Sequence, residues 1–364
     1  MVSFLGTLRP CTASFSSVSF PKCRPLPSFS GPKIASFRPK IASVSFTRTI
    51  QASLHSGPES DNGTTQSPVA QSEILFVGTG TSEGIPRVSC LTNPLKTCPV
   101  CSKAKEPGNK NKRLNTSILI RYSTPSAQSN ILIDAGKFFY HSALRWFPSY
   151  GIRTIDAVVI THSHADAIGG LDDLRDWTNN VQPSIPIYVA PRDFEVMKKT
   201  HYYLIDTSVI IPGAAVSALD FHIIHERPFY VNNLKITPLP VWHGPGYRSL
   251  GFRFGNVCYI SDVSDIPEET YPLLEDCELL IMDALRPDRS SSTHFGLPRA
   301  LEEVRKIRPM RTLFTGIRCT SLIFTCNIYS INILEVINYL VLVCSKCKKC
   351  KMIQRLKSMP SNAN

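Results

Sequence analysis

Two imidazoles and a carboxylate fall within five residues at His162-Ser163-His164-Ala165-Asp166. Residues two apart on an extended backbone turn their side chains the same way. His162 and His164 therefore face one point, and Asp166 continues the spacing as the chain bends toward Gly169-Gly170. Imidazole nitrogen with carboxylate oxygen is a donor set for Zn²⁺, and Mn²⁺ or Fe²⁺ accept it too. A second group of donors lies upstream: Cys90, Cys98 and Cys101, in which a Cys-X-X-Cys spacing lets two thiolates grip one tetrahedral ion. No fourth ligand stands near these three in the sequence, so a structural zinc and three free thiols are both open readings. His222 and His225, three apart on an expected strand, point to opposite faces, which argues against a shared metal.

The elements that must present these groups can be read from apolar pattern and punctuation. Residues 155–160 are short, apolar and β-branched, the pattern of a buried strand, and the His162 loop leaves from its end. Residues 73–77 read as a strand running into a glycine-rich turn at 78–84. That turn lacks the Gly-Lys-Ser/Thr of a phosphate cradle, and Ile85-Pro86 stands where such a motif starts its helix. It reads instead as a tight turn that brings backbone to the active-site rim. Residues 115–122 and 130–134 pair as strands across a Ser/Pro-rich turn, and 171–180 suggest a helix packed after the histidine loop. Strands and helices continue through 185–190, 192–204, 234–241, 252–259 and 279–282. This density of mixed elements fits an α/β fold, an αββα sandwich of two sheets with helices outside.

The chain has 364 residues, is 43% hydrophobic and carries a net charge of +12. That size and composition support one large or two small packed domains. The charge is unevenly divided. Residues 1–58 hold seven basic and no acidic residues, and 318–364 contribute +6, which leaves −1 for 59–317. A broad basic face for nucleic acid is therefore not indicated. The first 58 residues contain twelve serines and scattered prolines, the composition of an organellar transit peptide. Chloroplast is favoured over mitochondrion because Ser and Pro dominate and no Arg-rich amphipathic helix is evident. Residues 59–72 are a polar linker, so order is expected from Glu73. Of the twelve cysteines, two lie in the leader, three at 90–101 and five beyond residue 318. That distribution fits metal-bound thiolates in a reducing compartment better than a disulfide framework.

Six segments occur in an order that resembles the metallo-β-lactamase fold superfamily: 78–84 (GTGTSEG), 132–136 (LIDAG), the histidine loop through Arg175, 240–244 (PVWHG), 259–263 (YISDV) and 282–285 (MDAL). The resemblance spans residues 73–316 and is strongest to the phosphodiesterase branch that includes the cyclic-phosphate phosphodiesterase of phosphonate degradation, and to related plant and fungal hydrolases. It implies that His162, His164 and His243 hold a first metal, and that Asp166 with a bridging Asp262 serves a second. Three nitrogens and an open position lower the pKa of a bound water toward neutrality. The resemblance further implies that Asp134 supports the metal loop, that Asp283 and His294 orient and move a proton for the leaving oxygen, and that Cys90, Cys98 and Cys101 hold a structural zinc completed by a histidine near the C-terminus.

Two departures qualify this pattern. Ala167 stands where the superfamily usually has a second-site histidine, and no histidine follows Gly316. The second metal, Zn²⁺ or Mn²⁺, is then expected to bind weakly, to use oxygen ligands or to be absent. Residues 317–364 are read as a tail unrelated to the family, as a retained intron or displaced exon boundary produces, which leaves the fold incomplete at its C-terminus. The apolar run 321–344 has the length of a membrane anchor, but Asn327, Asn332, Glu335 and Asn338 oppose that reading. The expected function is a metal-dependent hydrolase of a small phosphodiester, cyclic phosphates included, acting through metal-bound hydroxide, with no nucleic-acid partner and a homodimer left open. A thioester or acyl hydrolase is the enzymatic alternative, because the same chemistry attacks carbonyl carbon. An inactive metal-binding form lacking the last histidine is the alternative outside catalysis.

Overall fold

The computed structural model describes residues 72–95, 97–206, 208 and 213–319. The expected leader, nearly all of the linker and the apolar run of the tail lie outside the described residues. Among the described residues, no helix is long and apolar enough to cross a membrane.

The chain fills one sheet, then the other. The first has the order β1 (Glu73–Gly78), β2 (Ser117–Ser123), β3 (Gln128–Ile133), β4 (Ala157–Val159), β5 (Ile185–Val189) and β6 (Leu219–Ile223). Between β1 and β2 lie two short helices, α1 (Val88–Leu91) and α2 (Pro99–Ala104). β1 to β3 form an antiparallel meander, after which β3, β4, β5 and β6 run parallel. Parallel neighbours need a crossover. Here these are α3 (Phe139–Tyr150), then α4 (Ala165–Ile168) with α5 (Arg175–Asn180), then α6 (Pro191–Thr200) with α7 (Tyr202–Ile205). The second sheet comprises β7 (Phe229–Val231), β8 (Leu234–Trp242), β9 (Arg248–Phe254), β10 (Val257–Ile260), β11 (Leu279–Asp283) and β12 (Arg311–Thr315), in sequential order. Its parallel end, β10 to β12, is bridged by α8 (Tyr271–Leu274) and α9 (Leu297–Ile307).

The period-two alternation of strand side chains separates three apolar layers. Ile118, Ile120, Ile131 and Ile133 point between the sheets, against Ile236, Phe252, Phe254, Tyr259 and Ile281. Leu119, Leu132 and Val158 point the other way, onto Phe139, Ala143 and Phe147 of α3 and Met197 of α6. Cys258, Ile260, Leu280 and Met282 cover the outer face of the second sheet beneath Ala300 and Val304 of α9. The result is the expected αββα sandwich. Each such Ile or Phe contributes about 1.5–3 kcal/mol by leaving water.

Two local expectations need correction. Residues 252–259 are not one strand but the hairpin of β9 and β10, turning at Gly255 with φ +57. Phe252, Phe254, Val257 and Tyr259 all face the inter-sheet core, so the apolar pattern runs straight through the turn and conceals it. The helix expected over 192–204 is broken at His201 into α6 and α7. The glycine-rich turn after β1 is built for the chain's own backbone. A Cβ on Gly78 would lie 1.9 Å from the Asn115 carbonyl oxygen, and one on Gly80 would lie 2.7 Å from that of Arg113.

Titratable groups gather at the strand ends. His162 follows β4, His243 follows β8, Asp262 follows β10 and Asp283 closes β11. β4 belongs to one sheet and the others to the second, so the rim where they meet joins both halves of the sandwich.

Candidate metal centre

Beyond β4 the backbone is held by a buried carboxylate. Asp134 has φ +65, a left-handed conformation that L-residues with a Cβ rarely adopt. Its Oδ1 accepts the Thr161 N–H at 2.9 Å and its Oδ2 accepts the Thr161 hydroxyl at 2.8 Å. Burial pushes the Asp134 carboxyl well above its ordinary pKa, against those two hydrogen bonds. Thr161 Oγ1 also lies 2.8 Å from His162 Nδ1. Because the hydroxyl proton is spent on Asp134, the oxygen can only accept from Nδ1–H, and the tautomer this selects leaves Nε2 bare. That Nε2 is buried without a hydrogen-bond partner. Burial also drives the His162 pKa down to about 3, although Asp262 opposes it.

The other donors converge on the same point. His243 Nδ1 donates to the Thr293 carbonyl at 2.7 Å, so its Nε2 is also bare. His243 Nε2 lies 3.2 Å from His164 Nδ1 and 3.5 Å from Asp262 Oδ2. His162 Nε2 lies 3.6 Å from Asp262 Oδ2 and 3.7 Å from Asp166 Oδ1. Donors about 2.0–2.1 Å from a tetrahedral ion stand about 3.3 Å from one another, which these separations match. An orphaned buried imidazole nitrogen facing two carboxylates is a costly arrangement alone and a favourable one around a cation. Three overlapping groups could hold an ion: His162, His164 and His243; His162, Asp166 and Asp262; and His243, Asp262 and His294. The residues present fit a divalent cation. Ala167 is buried in the apolar layer under α3 and offers no donor, so any second ion there depends on Asp166 and Asp262.

Beside these donors stands a second pair. His294 Nδ1 lies 2.8 Å from Asp283 Oδ2, and its Nε2 lies 4.0 Å from Asp262 Oδ2. A compact turn fixes the ring: the His294 N–H donates to Ser291 Oγ, and the Ser291 N–H donates to the His294 carbonyl. Burial opposes charging His294, but the Asp283 hydrogen bond and the charges of Asp283 and Asp262 outweigh it and raise its pKa to about 9. Burial raises Asp283 as well, although its hydrogen bond to His294 opposes the rise. Gly316, with φ +71, packs so closely that a Cβ would lie 2.7 Å from Asp283 Oδ1.

The cysteines form a separate cluster. Cys90 on α1, Cys98 capping α2 and Cys101 within α2 are joined by Cys319, with all four sulfurs within 4.8 Å of one another. Cys90 and Cys319 Sγ are 3.8 Å apart, the spacing of sulfurs about 2.3 Å from a shared tetrahedral ion. The Arg87 N–H donates to Cys101 Sγ at 3.3 Å, and the half-buried Arg113 guanidinium lies close enough for Cys319 and Cys101 to act on it. Cys319 answers the missing fourth ligand, and it comes from the segment assigned to the unrelated tail. Ile317 likewise packs into the layer beneath α9.

All the expected site residues are therefore brought together, in two clusters. His222 and His225 are not part of either; His222 stacks on Tyr188 with ring centroids 5.0 Å apart. Sequence reasoning missed Thr161, Thr293, Tyr247 and Cys319. Only Cys319 carried a signal, as the first cysteine after the last strand.

Comparisons with known proteins agree with this architecture. Residues 129–317 match a family described as a beta-lactamase superfamily domain. The chain is 30% identical over 235 residues to an octanoyltransferase of Porphyromonas gingivalis, covering 64% of this chain and 43% of that protein. It is 31% identical over 102 residues to a beta-lactamase-like protein 2 homolog of Caenorhabditis elegans, covering 27% of this chain and 34% of that one. The chain thus spans less than half the length of these curated relatives. Among solved structures, it resembles a diphosphatase from the PhnP family at 30% identity and TM-score 0.58, covering 69% of this chain and 87% of that one. Zn²⁺-bound PqqB from Methylobacterium extorquens, at 18% identity and TM-score 0.50, covers 68% and 90% respectively and shares the fold. The chain belongs to the β-lactamase superfamily, with the metallo-β-lactamase fold. Fold and neighbours support a hydrolase, and the His/Asp donors suit a divalent metal such as Zn²⁺.

Proposed function

We propose that the protein is a metal-dependent phosphodiesterase acting on a small phosphodiester, with a cyclic phosphate or a phosphoanhydride diester as the substrate class. The observation that carries this reading is the convergence of His162 Nε2, His164 Nδ1, His243 Nε2 and Asp262 Oδ2 beside the Asp283–His294 pair. His162, His164 and His243 are the residues to hold a first cation, and Asp166 with Asp262 the second. A divalent cation bound there supplies Lewis acidity, neutralising charge on the phosphoryl oxygens and making water more acidic. The chain's own groups do the rest. Thr161 and the Thr293 carbonyl keep two imidazoles in the donor tautomer. Asp283 holds His294 protonated with its Nε2 toward the rim, placed to deliver a proton to the departing alkoxide oxygen. The 30% identity to a diphosphatase supports phosphorus over carbon as the reacting centre.

The test is a substrate panel with Zn²⁺- or Mn²⁺-loaded protein: acyclic and cyclic phosphodiesters, dinucleoside diphosphates and acyl thioesters. Cleavage of a phosphodiester or diphosphate, abolished by His164→Ala, is expected. No cleavage of any phosphorus ester, with His164→Ala silent throughout, would sink the proposal. The octanoyltransferase match favours one rival, an acyl hydrolase, for which thioesters alone would be cleaved. The serine-rich, acid-free leader supports a chloroplast address, checked by imaging a fluorescent fusion of the full chain.

A further inference from the structure

His164 is supported unlike its two partners. His162 is braced through Nδ1 by Thr161, and His243 through Nδ1 by the Thr293 carbonyl; both rings are buried. His164 is exposed, and among the described residues the one hydrogen-bond neighbour of its ring is His243. No carbonyl or carboxylate fixes its ring. Tyr247 lies flat against it instead, with ring centroids 5.2 Å apart and planes 21° apart.

Tyr247 is itself held from several sides. Its hydroxyl donates to Asp193 Oδ1 at 2.8 Å and accepts the Ser163 N–H at 3.1 Å, the residue between the two histidines of the loop. Asp193 is 1% exposed and is paired at 2.8 Å with Arg192, whose guanidinium stands 4.2 Å from the Tyr247 ring centre. The Tyr247 carbonyl accepts the His243 N–H at 2.9 Å. Gly244 and Gly246, with φ +103 and +73, allow the loop after β8 to fold back and bring the ring over His164. Tyr247 thus joins α6 of the first sheet's helical layer, the histidine loop and the β8 ligand. A buried carboxylate turned toward a phenol, rather than toward solvent, shows that the ring's placement is specified.

We propose that Tyr247, anchored by Asp193 and Ser163, is a positioning residue for His164, and that it sets the affinity and geometry of the first cation site by orienting the ligand that lacks a hydrogen-bonded brace. Stacking fixes the plane of the imidazole, and the bond to the Ser163 N–H fixes the backbone from which it projects. Supporting groups of this kind typically change metal affinity by about 10–100-fold. The inference rests on the metal reading above.

The test uses the full chain, stripped of metal and titrated with Co²⁺: a nitrogen and oxygen site gives weaker d–d bands at shorter visible wavelengths, whereas the cysteine cluster gives stronger d–d bands to the red together with near-ultraviolet thiolate bands, so the two sites are read separately. Tyr247→Leu removes ring and hydroxyl; Tyr247→Phe keeps the stacked ring. Tyr247→Leu is expected to weaken Co²⁺ at the histidine site by about 10–100-fold and to shift its d–d bands, with the thiolate bands unchanged. Tyr247→Phe is expected to fall between Tyr247→Leu and the wild type. A wild-type affinity and spectrum in Tyr247→Leu overturns the inference while leaving the metal reading standing. If Tyr247→Leu fails to fold, Tyr247→Phe decides: unchanged affinity and bands overturn the inference. A wild-type chain that takes up no Co²⁺ at the histidines overturns both.

Discussion

The histidine and carboxylate donors gather at an open rim, where His164 is exposed and Asp166, Asp262 and His294 are partly so; the four cysteines close around one point, with Cys101 and Cys319 buried. The first cluster mixes nitrogen and oxygen and has a proton-holding pair beside it. The second offers sulfur alone, and its neighbours are the Arg87 backbone and the Arg113 guanidinium. An ion enclosed by four thiolates has no position left for substrate, whereas three imidazoles leave one. On the proposed reading, the difference separates a site that reacts from a site that holds the segment 87–101 against the end of β12. It also separates how each is supported: hydrogen bonds select imidazole tautomers at the rim, while arginine charge offsets thiolate charge at the cluster.

His162→Ala gives the largest effect that bears on this contrast. It is expected to reduce hydrolysis to background and to remove the shorter-wavelength d–d bands of the nitrogen and oxygen site in Co²⁺-loaded protein while the d–d and near-ultraviolet bands of the thiolate site persist. Loss of both sets of bands would break the separation of the two centres. His294→Asn is next, with an expected drop in kcat of about 10²–10⁴-fold and metal content unchanged. The ordinary histidine pKa of 6.5 is raised here to about 9, so the proton-donating form prevails below that value and is lost above it. Wild-type activity is therefore expected to fall as pH rises through about 9, and this alkaline limb should be missing from the residual rate of His294→Asn.

Asp134→Asn keeps an acceptor for the Thr161 N–H but removes the carboxylate that claims the Thr161 proton. Cation affinity at the rim is expected to weaken about 10–100-fold, measured by competition with a chelator, with no change at the cysteines. Cys319→Ser has the smallest effect on chemistry. It is expected to cost the cysteine cluster its ion and about 2 kcal/mol of stability, a fall of roughly 4–8 °C in Tm, while the folded protein still hydrolyses substrate. An equal loss of activity would mean that the cluster also sets the Asp283–His294 pair, through Cys319, Gly316 and the end of β12.

Much of this was legible in advance where chemistry is local. The histidine loop declares itself because two imidazoles and a carboxylate two residues apart need only an extended backbone to face one point, and the Cys98–Cys101 spacing needs only one helical turn. The strand before the loop was also readable, because parallel strands buried on both faces are short and continuously apolar. The β9–β10 hairpin was not, since both of its strands face the same core. Helices α3 and α9 escaped notice too: α3 contains Pro148, a residue that disfavours a helix interior, and its buried stripe of Phe139, Ala143 and Phe147 emerges only against the sheet it covers.

By itself, then, the sequence determined the donor types, the local spacing within each cluster and the order of segments shared with a known family. Tertiary structure decided which distant groups meet. Cys319 reaches Cys90 across 229 residues, Tyr247 reaches Ser163 across 84, and Thr293 reaches His243 across 50. Spacing along a chain governs contacts only within a turn or a strand. Beyond that, the partner of a side chain depends on which strand ends the two sheets bring to the same rim, and that depends on the packing of the whole sandwich.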